Sequence, residues 1–572
     1  VVRADFSCFR GTREDTAVAG RLLVPKLWTV LREGVSLRTV GRDVTAGVIV
    51  GIIALPLSIA LAIASGVNPE QGLFTAVVAG FLISALSGSR VQIGGPTGAF
   101  IVLVYGIVQQ HGYEGLAVAT LMAGALLVCM GLAGLGGVIT FIPYPVTVGF
   151  TAGIAVIIFV AQLRDFFGLA MGAPPAEFLE KLAAYVEHGA SVNPWALAVG
   201  AGSLAVIGLW PRVTRRVPGS LVAMVLATVV VQGAGWPVET IGSRFGEMPH
   251  ALPAPRWPAL RWDLMVELFP SALAIALLAG IESLLSAVVA DGMTGRRHRS
   301  NMELVAQGAA NLVSPLFLGI PATGAIARTA ANVKNGGTTP ISGMVHAVTL
   351  LAIMMVFGRW AAMIPMPVLA AILMKVAFDM SEWHLVVRMF RAPRGDLLVL
   401  ASTLGLTVLV DLVVAIEVGV VLAAFLFMRR MAEVTQVGFV GRALRDDEVE
   451  RAGAEEPADG RPEGVEVFEI SGPFFFGAAD RFKDEMRNLE RAPKVLILRL
   501  RQVPVIDATA LVALEDVERK CRRDGTVLIL SGVHPQPRRA MEKSGLLARV
   551  GAEQVLPHFE AAMERARLVV GG

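Results

Sequence analysis

Between residues 43 and 430 the chain is a succession of apolar stretches divided by short polar or Gly/Pro-rich breaks. Runs of about 20 apolar residues cross a bilayer as helices. The first half gives segments at 44–64, 72–87, 97–110, 115–135, 146–163, 194–210 and 220–233; the second gives 267–290, 304–318, 323–333, 343–357, 362–378, 397–410 and 413–428. The pattern predicts fourteen spans in two sets of seven. An odd number per half inserts the second half upside down, so the repeat is of the inverted kind. One segment in each half is short and opens on a break: Gly94-Gly95-Pro96-Thr97-Gly98-Ala99-Phe100, and the stretch Gly319-Ile320-Pro321-Ala322-Thr323-Gly324-Ala325-Ile326-Ala327-Arg328-Thr329. The two Thr-Gly-Ala triplets lie 323 − 97 = 226 positions apart, an offset that also lays Ser65-Gly66 on Asp291-Gly292 and Pro56 on Glu282. Interrupted helices at matching positions of two halves point to the substrate site of a secondary transporter.

The character changes after Arg430. Residues 445–463 are acidic and Gly/Pro-rich, so 433–463 is read as a flexible linker. Strand-like stretches at 465–470, 495–500 and 527–530 then alternate with helix-like ones at 508–521 and 537–543, predicting a small α/β domain over 464–570. The expected organisation is a cytoplasmic N-terminal tail (1–42), a first repeat (43–237), a second repeat (262–432), the linker and the α/β domain. Residues 177–186 alternate apolar and charged positions at helical spacing, as an interfacial helix would.

Composition agrees with a polytopic membrane protein: 54% of residues are hydrophobic and only 17% charged, against about a quarter charged in soluble domains. The net charge of +3 matters less than where the charges fall. Arg212, Arg215, Arg216, Arg296, Arg297, Arg299, Lys334, Arg388, Arg391, Arg394, Arg429 and Arg430 all fall on one side if the N-terminus is inside, which puts the α/β domain in the cytoplasm. Arg244, Arg256, Arg261 and Arg359 fall on the other. Residues 1–20 lack the apolar core of a signal peptide. Cys8, Cys129 and Cys521 have no metal or disulfide spacing.

Two broken helices that start at the membrane midplane present unpaired backbone N–H groups and positive dipole ends, which bind an anion without a charged side chain. Thr97, Gly98, Ala99 and Phe100 on one side, and Gly324, Ala325 and Ile326 on the other, form the expected substrate site. Small residues also let membrane helices pack closely; the matched pair of breaks together with Arg328 favours the anion site. Arg328 stands one turn beyond Gly324, where a guanidinium can grip an oxyanion with two parallel hydrogen bonds or pair with Glu282. Glu282, in the middle of an apolar span, is held between burial and the nearby cation and is the candidate proton-coupling group, with Ser286 one turn on. Glu417 is read as packing or lumen-facing, Asp411 as an outer turn, and His346 and His384 as isolated. No metal site or nucleophile constellation is present, and no enzyme or nucleic-acid function has support.

Several of these features together resemble the SulP (sulfate permease) family of anion transporters: the Gly95-Pro96-Thr97 break, Gly280-Ile281-Glu282-Ser283-Leu284-Leu285, Ala327-Arg328-Thr329, and Asn335-Gly336-Gly337-Thr338-Thr339-Pro340-Ile341-Ser342-Gly343. The α/β domain resembles a STAS domain through Val503-Pro504-Val505-Ile506-Asp507-Ala508-Thr509. The resemblance spans residues 40–570. It implies a polytopic α-helical membrane protein of fourteen transmembrane segments, a seven-plus-seven inverted repeat divided into core and gate domains, followed by a cytoplasmic STAS domain, and a homodimer. A carboxylate at Glu282 implies cation coupling, with protons as the coupling ion and no other cofactor. A likeness to the bacterial C4-dicarboxylate transporter of the family rests on Leu55-Pro56-Leu57-Ser58-Ile59-Ala60-Leu61-Ala62, Ala290-Asp291-Gly292-Met293-Thr294-Gly295 and Leu426-Phe427-Met428-Arg429-Arg430, although Leu57 stands where many relatives carry glutamine or glutamate. Ala508 replaces the phosphorylatable serine of related soluble regulators, so the domain is read as a folding, trafficking or protein-docking module. The expectation is an inner-membrane, elevator-type proton symporter of C4-dicarboxylates such as succinate, fumarate or aspartate. The alternatives are a sulfate or bicarbonate transporter, an uncoupled anion channel, or a membrane-anchored signalling protein.

Overall fold

In the computed structural model, Gly112 breaks the longest helix of the first half by leaving helical geometry (φ 65°, ψ −170°). The description covers residues 23–137, 143–172, 174–175, 177–214, 218–247, 250–410, 412–439, 462–487 and 492–571. The first half supplies α1 (Leu37–Ala64), α2 (Pro69–Leu86), the bent α3 (Ile101–Leu132), α4 (Tyr144–Ala161), α5 (Pro194–Leu209) and α6 (Gly219–Ala234). The second supplies α7 (Trp262–Thr294), α8 (Ser300–Val313), α9 (Ile326–Lys334), α10 (Ile341–Ala361), α11 (Met366–Met380), α12 (Arg394–Leu409) and α13 (Leu412–Val434). With α3 counted as two arms, the described residues contain the fourteen expected segments. Among the described residues, seven helical stretches are long and apolar enough to cross a bilayer on length and composition alone. Of the remainder, α9 is short because it begins at the break.

Packing sorts the helices into two bundles. In one, α3 lies against α7 and α8 while α10 lies against α1 and α2; in the other, α12 and α11 pack on α4, and α5 packs on α6 and α11. These are the core and gate domains. Where α3 crosses α8 there is no room for side chains: a Cβ on Gly124 would stand 2.8 Å from the Gly308 carbonyl oxygen, and one on Gly308 2.6 Å from that of Gly124. Val225, Val229, Phe269, Val288, Phe357, Val421 and Phe425 remain exposed, as lipid-facing side chains do.

Two short strands lock the halves together. β1 (Gly94–Gly95) pairs antiparallel with β2 (Thr323–Gly324) in the register Gly94–Gly324 and Gly95–Thr323. The internal symmetry follows from this register and corrects the sequence alignment of the repeats. An offset of 323 − 94 = 229 carries the pair Gly94–Gly324 onto Thr323–Gly95, as a two-fold axis between the strands requires. The left-handed glycines that end α1 and α7, Gly66 (φ 76°) and Gly295 (φ 67°), are also 295 − 66 = 229 apart. The Thr-Gly-Ala match at 226 is therefore three residues out of register. In the second half Thr-Gly lies within the strand; in the first, Thr97 caps a 3-10 turn, Gly98–Phe100, beyond the strand.

The tail expectation also changes. Lys26–Glu33 is helical, and α1 begins at Leu37, seven residues before the predicted start. The interfacial helix is present as Phe178–Glu187. The predicted linker overlaps the end of α13 and β3 (Gln436–Phe439); residues 440–461 and Asp411 lie outside the described residues. The chain divides into two compact units at Val420/Val421.

In the second unit, β3, β4 (Val465–Ser471), β5 (Val495–Gln502), β6 (Val527–Ser531) and β7 (Val555–Leu556) form one sheet in sequential order. Only the β3–β4 pair is antiparallel. Phe468, Phe474 and Phe482 make edge-on contacts in its core. Asp507 caps the helix Ala508–Asp524 by accepting from Ala510 N at 2.7 Å, and its second oxygen accepts from Phe476 N at 3.1 Å. The Val-Pro-Val-Ile-Asp motif thus has a structural purpose in turning strand into helix.

Candidate functional site

After β1 the chain enters α3 through Gly98–Phe100; after β2 it enters α9 directly, with Ala325 as N-cap. Because the strands are antiparallel, the two helices leave in opposite directions and their N-terminal ends face the same crossing. Neither terminus has a side-chain cap, so both present amide donors and positive dipole ends there. Ala99 and Phe100 are buried, whereas Ile326 is 37% exposed, the open edge of the crossing. Gly98 faces the gate domain: a Cβ there would meet Ile158 Cδ1 of α4 and Met380 Sδ of α11, each at 3.0 Å.

One face of α7 holds both strands. Thr323 Oγ1 donates to the Ala279 carbonyl (2.8 Å), Gln92 Nε2 to the Ser283 carbonyl (3.1 Å), and Thr97 Oγ1 to Glu282 Oε2 (2.8 Å). Residues 279, 282, 283 and 286 recur at the three-and-four spacing of a single helical face. Ser286 donates to Thr329 Oγ1 (3.1 Å), which accepts from Ile93 N as well (3.1 Å). Its hydroxyl is turned to the second broken helix and away from Glu282.

Arg328 is 2% exposed, and its Nε and Nη1 have no protein partner. Its Nη2 reaches only the Ser58 hydroxyl of α1 at 3.5 Å. The alternative for Arg328, an ion pair with Glu282, is not formed; the carboxylate's hydrogen-bond partner is Thr97. The guanidinium lies across β1, where a Cβ on Gly95 would stand 2.5 Å from Nη1. Gly95 itself is at φ 152°, a conformation side chains disfavour. An uncompensated buried cation costs several kcal/mol. Backbone amides of two helix ends, a buried guanidinium with two unpartnered nitrogens and a carboxyl one hydrogen bond from the first tip thus converge on the crossing.

The sequence reading missed several contributors. Ser58, Gln92 and Gly95 all touch the site; nearness to the first break could have suggested Gln92 and Gly95, whereas Ser58 lies far from it in sequence, inside α1. His346, set aside as isolated, is wholly buried with both ring nitrogens unpartnered. The Asn335–Gly343 motif serves the scaffold. Asp43 of α1 accepts from Thr338 N (2.6 Å), Thr339 N (3.2 Å) and both threonine hydroxyls, closing the loop that opens α10. Asn332 spans Val91 O and Ser342 Oγ, each at 2.8 Å. On α11, the exposed pair Lys375–Asp379 stands next to Met380. Glu417 is exposed on α13, in keeping with a side chain outside the core.

Crossed half-helices at the seam of a core and a gate domain, related by an inverted repeat, define a multi-pass membrane anion transporter. Residues 41–403 match the model of the sulfate permease family, and residues 457–562 match the STAS domain. The chain belongs to the sulfate permease family. It is 42% identical over 531 residues (92% of this chain, 98% of the relative) to the candidate sulfate transporter YvdB of Bacillus subtilis. It is 33% identical over 544 residues (93% of this chain, 95% of the relative) to the bicarbonate transporter BicA of a Picosynechococcus species. Among solved structures, the transmembrane domain of a cyanobacterial BicA matches with 31% identity and TM-score 0.61, covering 68% of this chain and 98% of that one. SLC26A9 has the same fold at 16% identity, with TM-score 0.83 over 99% of this chain and 97% of that one. YvdB and BicA carry sulfate and bicarbonate in their names, and nothing in these likenesses points to a C4-dicarboxylate transporter. Of the stretches that suggested it, Leu-Pro-Leu-Ser lies inside α1, Ala-Asp-Gly in the last turns of α7 and Arg429-Arg430 near the end of α13.

Proposed function

We propose that this chain is a secondary carrier of a small inorganic oxyanion, with sulfate as its substrate and a proton on Glu282 as the coupling charge. The observation that carries the reading is the unpartnered Arg328 guanidinium buried against the first helix tip. An oxyanion at the crossing would accept from the Gly98 and Ala99 amides on one side and the Ile326 amide and Arg328 on the other. Glu282 lies one hydrogen bond away, through Thr97. A proton there offsets part of the charge of a dianion, so the loaded site moves more easily than the half-loaded one. Because Gly98 abuts Met380 and Ile158 of the gate domain, a sliding core domain would carry the site from one side to the other.

Bicarbonate is the second reading, favoured by the BicA relatives at 31–33% identity. The arginine distribution supports placing the N-terminus and STAS domain in the cytoplasm. Uptake of radiolabelled sulfate and bicarbonate into proteoliposomes, with and without an inward acid gradient, tests the proposal. Sulfate accumulation driven by the gradient supports it; bicarbonate uptake alone favours the second reading, and succinate uptake exceeding both refutes it.

A further inference from the structure

The helix Lys26–Glu33, which precedes α1, is fastened to the core domain at its own small cavity. Lys26 N donates to the Ser87 carbonyl at 2.9 Å. Arg299 Nη1 donates to Val24 O (2.7 Å) and Thr29 Oγ1 (3.0 Å), and Arg90 Nη2 binds both carboxylate oxygens of Glu33 at 2.6 and 2.7 Å. The cavity has a volume of about 380 Å³ and is lined by Val24, Trp28, Thr29, Arg32, Glu33 and Arg299. Its single lining acid, Glu33, is already committed to Arg90. The Arg32 guanidinium lies 5.0 Å over the Trp28 ring and, like the Lys26 ammonium, has no acidic partner in contact among the described residues. The cavity therefore holds more positive charge than the protein neutralises.

The outward surface of the same segment is apolar. Leu23, Trp28, Leu31 and Leu37 are 44%, 53%, 55% and 91% exposed. Exposed tryptophan and leucine side chains next to basic residues, at the foot of a first transmembrane helix, have the chemistry of the headgroup boundary.

We propose that this cavity is a binding site for the phosphate group of an anionic glycerophospholipid, with Arg32 and Arg299 of its lining as donors and the Lys26 ammonium, close to Arg299 and Glu33, adding positive charge beside it. Guanidinium forks match phosphate oxygens with paired charge-assisted bonds. Inorganic phosphate offers the same oxygens but no acyl chain to cover Leu23, Trp28 and Leu31. Lys26 adds a pH dependence. Burial, then Arg299 and Arg90, hold its pKa down at about 8, against the opposing pull of Asp291 and Glu33. Only the protonated ammonium attracts phosphate, so binding weakens as pH rises through that value.

The test is native mass spectrometry of the full-length protein released from mixed phosphatidylglycerol and phosphatidylcholine, comparing wild type with Lys26→Gln/Arg32→Gln. Wild type should retain phosphatidylglycerol about five-fold over phosphatidylcholine, the double variant should lose that preference, and wild-type preference should fall between about pH 7 and about pH 9. Melting in pure phosphatidylcholine verifies that the variant is folded; Arg32→Glu, at an exposed position, is the second variant if it is not. Undiminished phosphatidylglycerol retention by a folded variant overturns the site. Inorganic phosphate reproducing the full thermal stabilisation given by phosphatidylglycerol overturns its assignment to lipid.

Discussion

Thr97 and Glu282, 185 residues apart, share a 2.8 Å hydrogen bond that ties the first broken helix to the middle of α7. The hydroxyl donates and the carboxylate accepts, so protonating Glu282 weakens this acceptor and loosens the tip. Glu282→Gln keeps the shape and removes the titration. Accumulation driven by an acid gradient should fall at least ten-fold, about the loss of one productive protonation step, while oxyanion binding stays within about three-fold of wild type. Gradient-driven uptake at the wild-type rate would remove Glu282 from coupling.

Gly95 separates site geometry from general stability. Gly95→Ala combines a disfavoured φ of 152° with a Cβ 2.5 Å from Arg328 Nη1, so the guanidinium must move. Oxyanion affinity should drop about ten-fold or more. Gly106→Ala, with nothing within 4 Å, is the control and should bind normally. Gly324→Ala is harsher, because its Cβ would fall 1.6 Å from Gln92 Nε2 and break the crossing itself. Normal affinity in Gly95→Ala would mean that Arg328 does not face the anion.

Arg244 makes a paired hydrogen bond to Asp165 (2.7 and 3.1 Å) and further bonds to Glu239. The hydrogen bond from Arg244 holds Glu239 below the usual carboxylate range. A depressed acid contributes stability that is present above its unfolded pKa and is lost as pH falls through the folded one. Thermal stability should therefore decline on acidification below about pH 4.5, the ordinary value for Glu239. Arg244→Ala should cost on the order of 2 kcal/mol at neutral pH, mostly by stranding the partly buried Asp165, and should flatten that acid limb. Identical melting curves for variant and wild type across this range would contradict it.

Much of this molecule was legible in the sequence because lipid solvent imposes strong rules. Span number, the inverted repeat and the two interrupted helices follow from hydropathy and Gly/Pro placement. Arg328 and Glu282 stood out because charge in an apolar run is costly. Side-chain direction was not legible. Ser286 shares a helical face with Glu282 yet serves Thr329, since only the tertiary placement of α9 decides which neighbour it meets. The 226 offset matched letters, whereas strand register and the left-handed Gly66 and Gly295 fix the symmetry at 229. Nothing in the sequence pattern singles out Asp43, and its role appears only when the Thr338–Thr339 loop folds onto it.

Equilibrium binding of labelled sulfate and labelled bicarbonate to purified wild type and Arg328→Ala, with melting curves to verify folding, reads the claim about the crossed tips without needing turnover. Wild type should bind one of the two oxyanions saturably, and Arg328→Ala should lose at least about ten-fold in affinity for it, with Arg328→Lys recovering only part because an ammonium cannot form the paired contact. Unchanged affinity in a folded Arg328→Ala protein would contradict an anion held between the two helix ends.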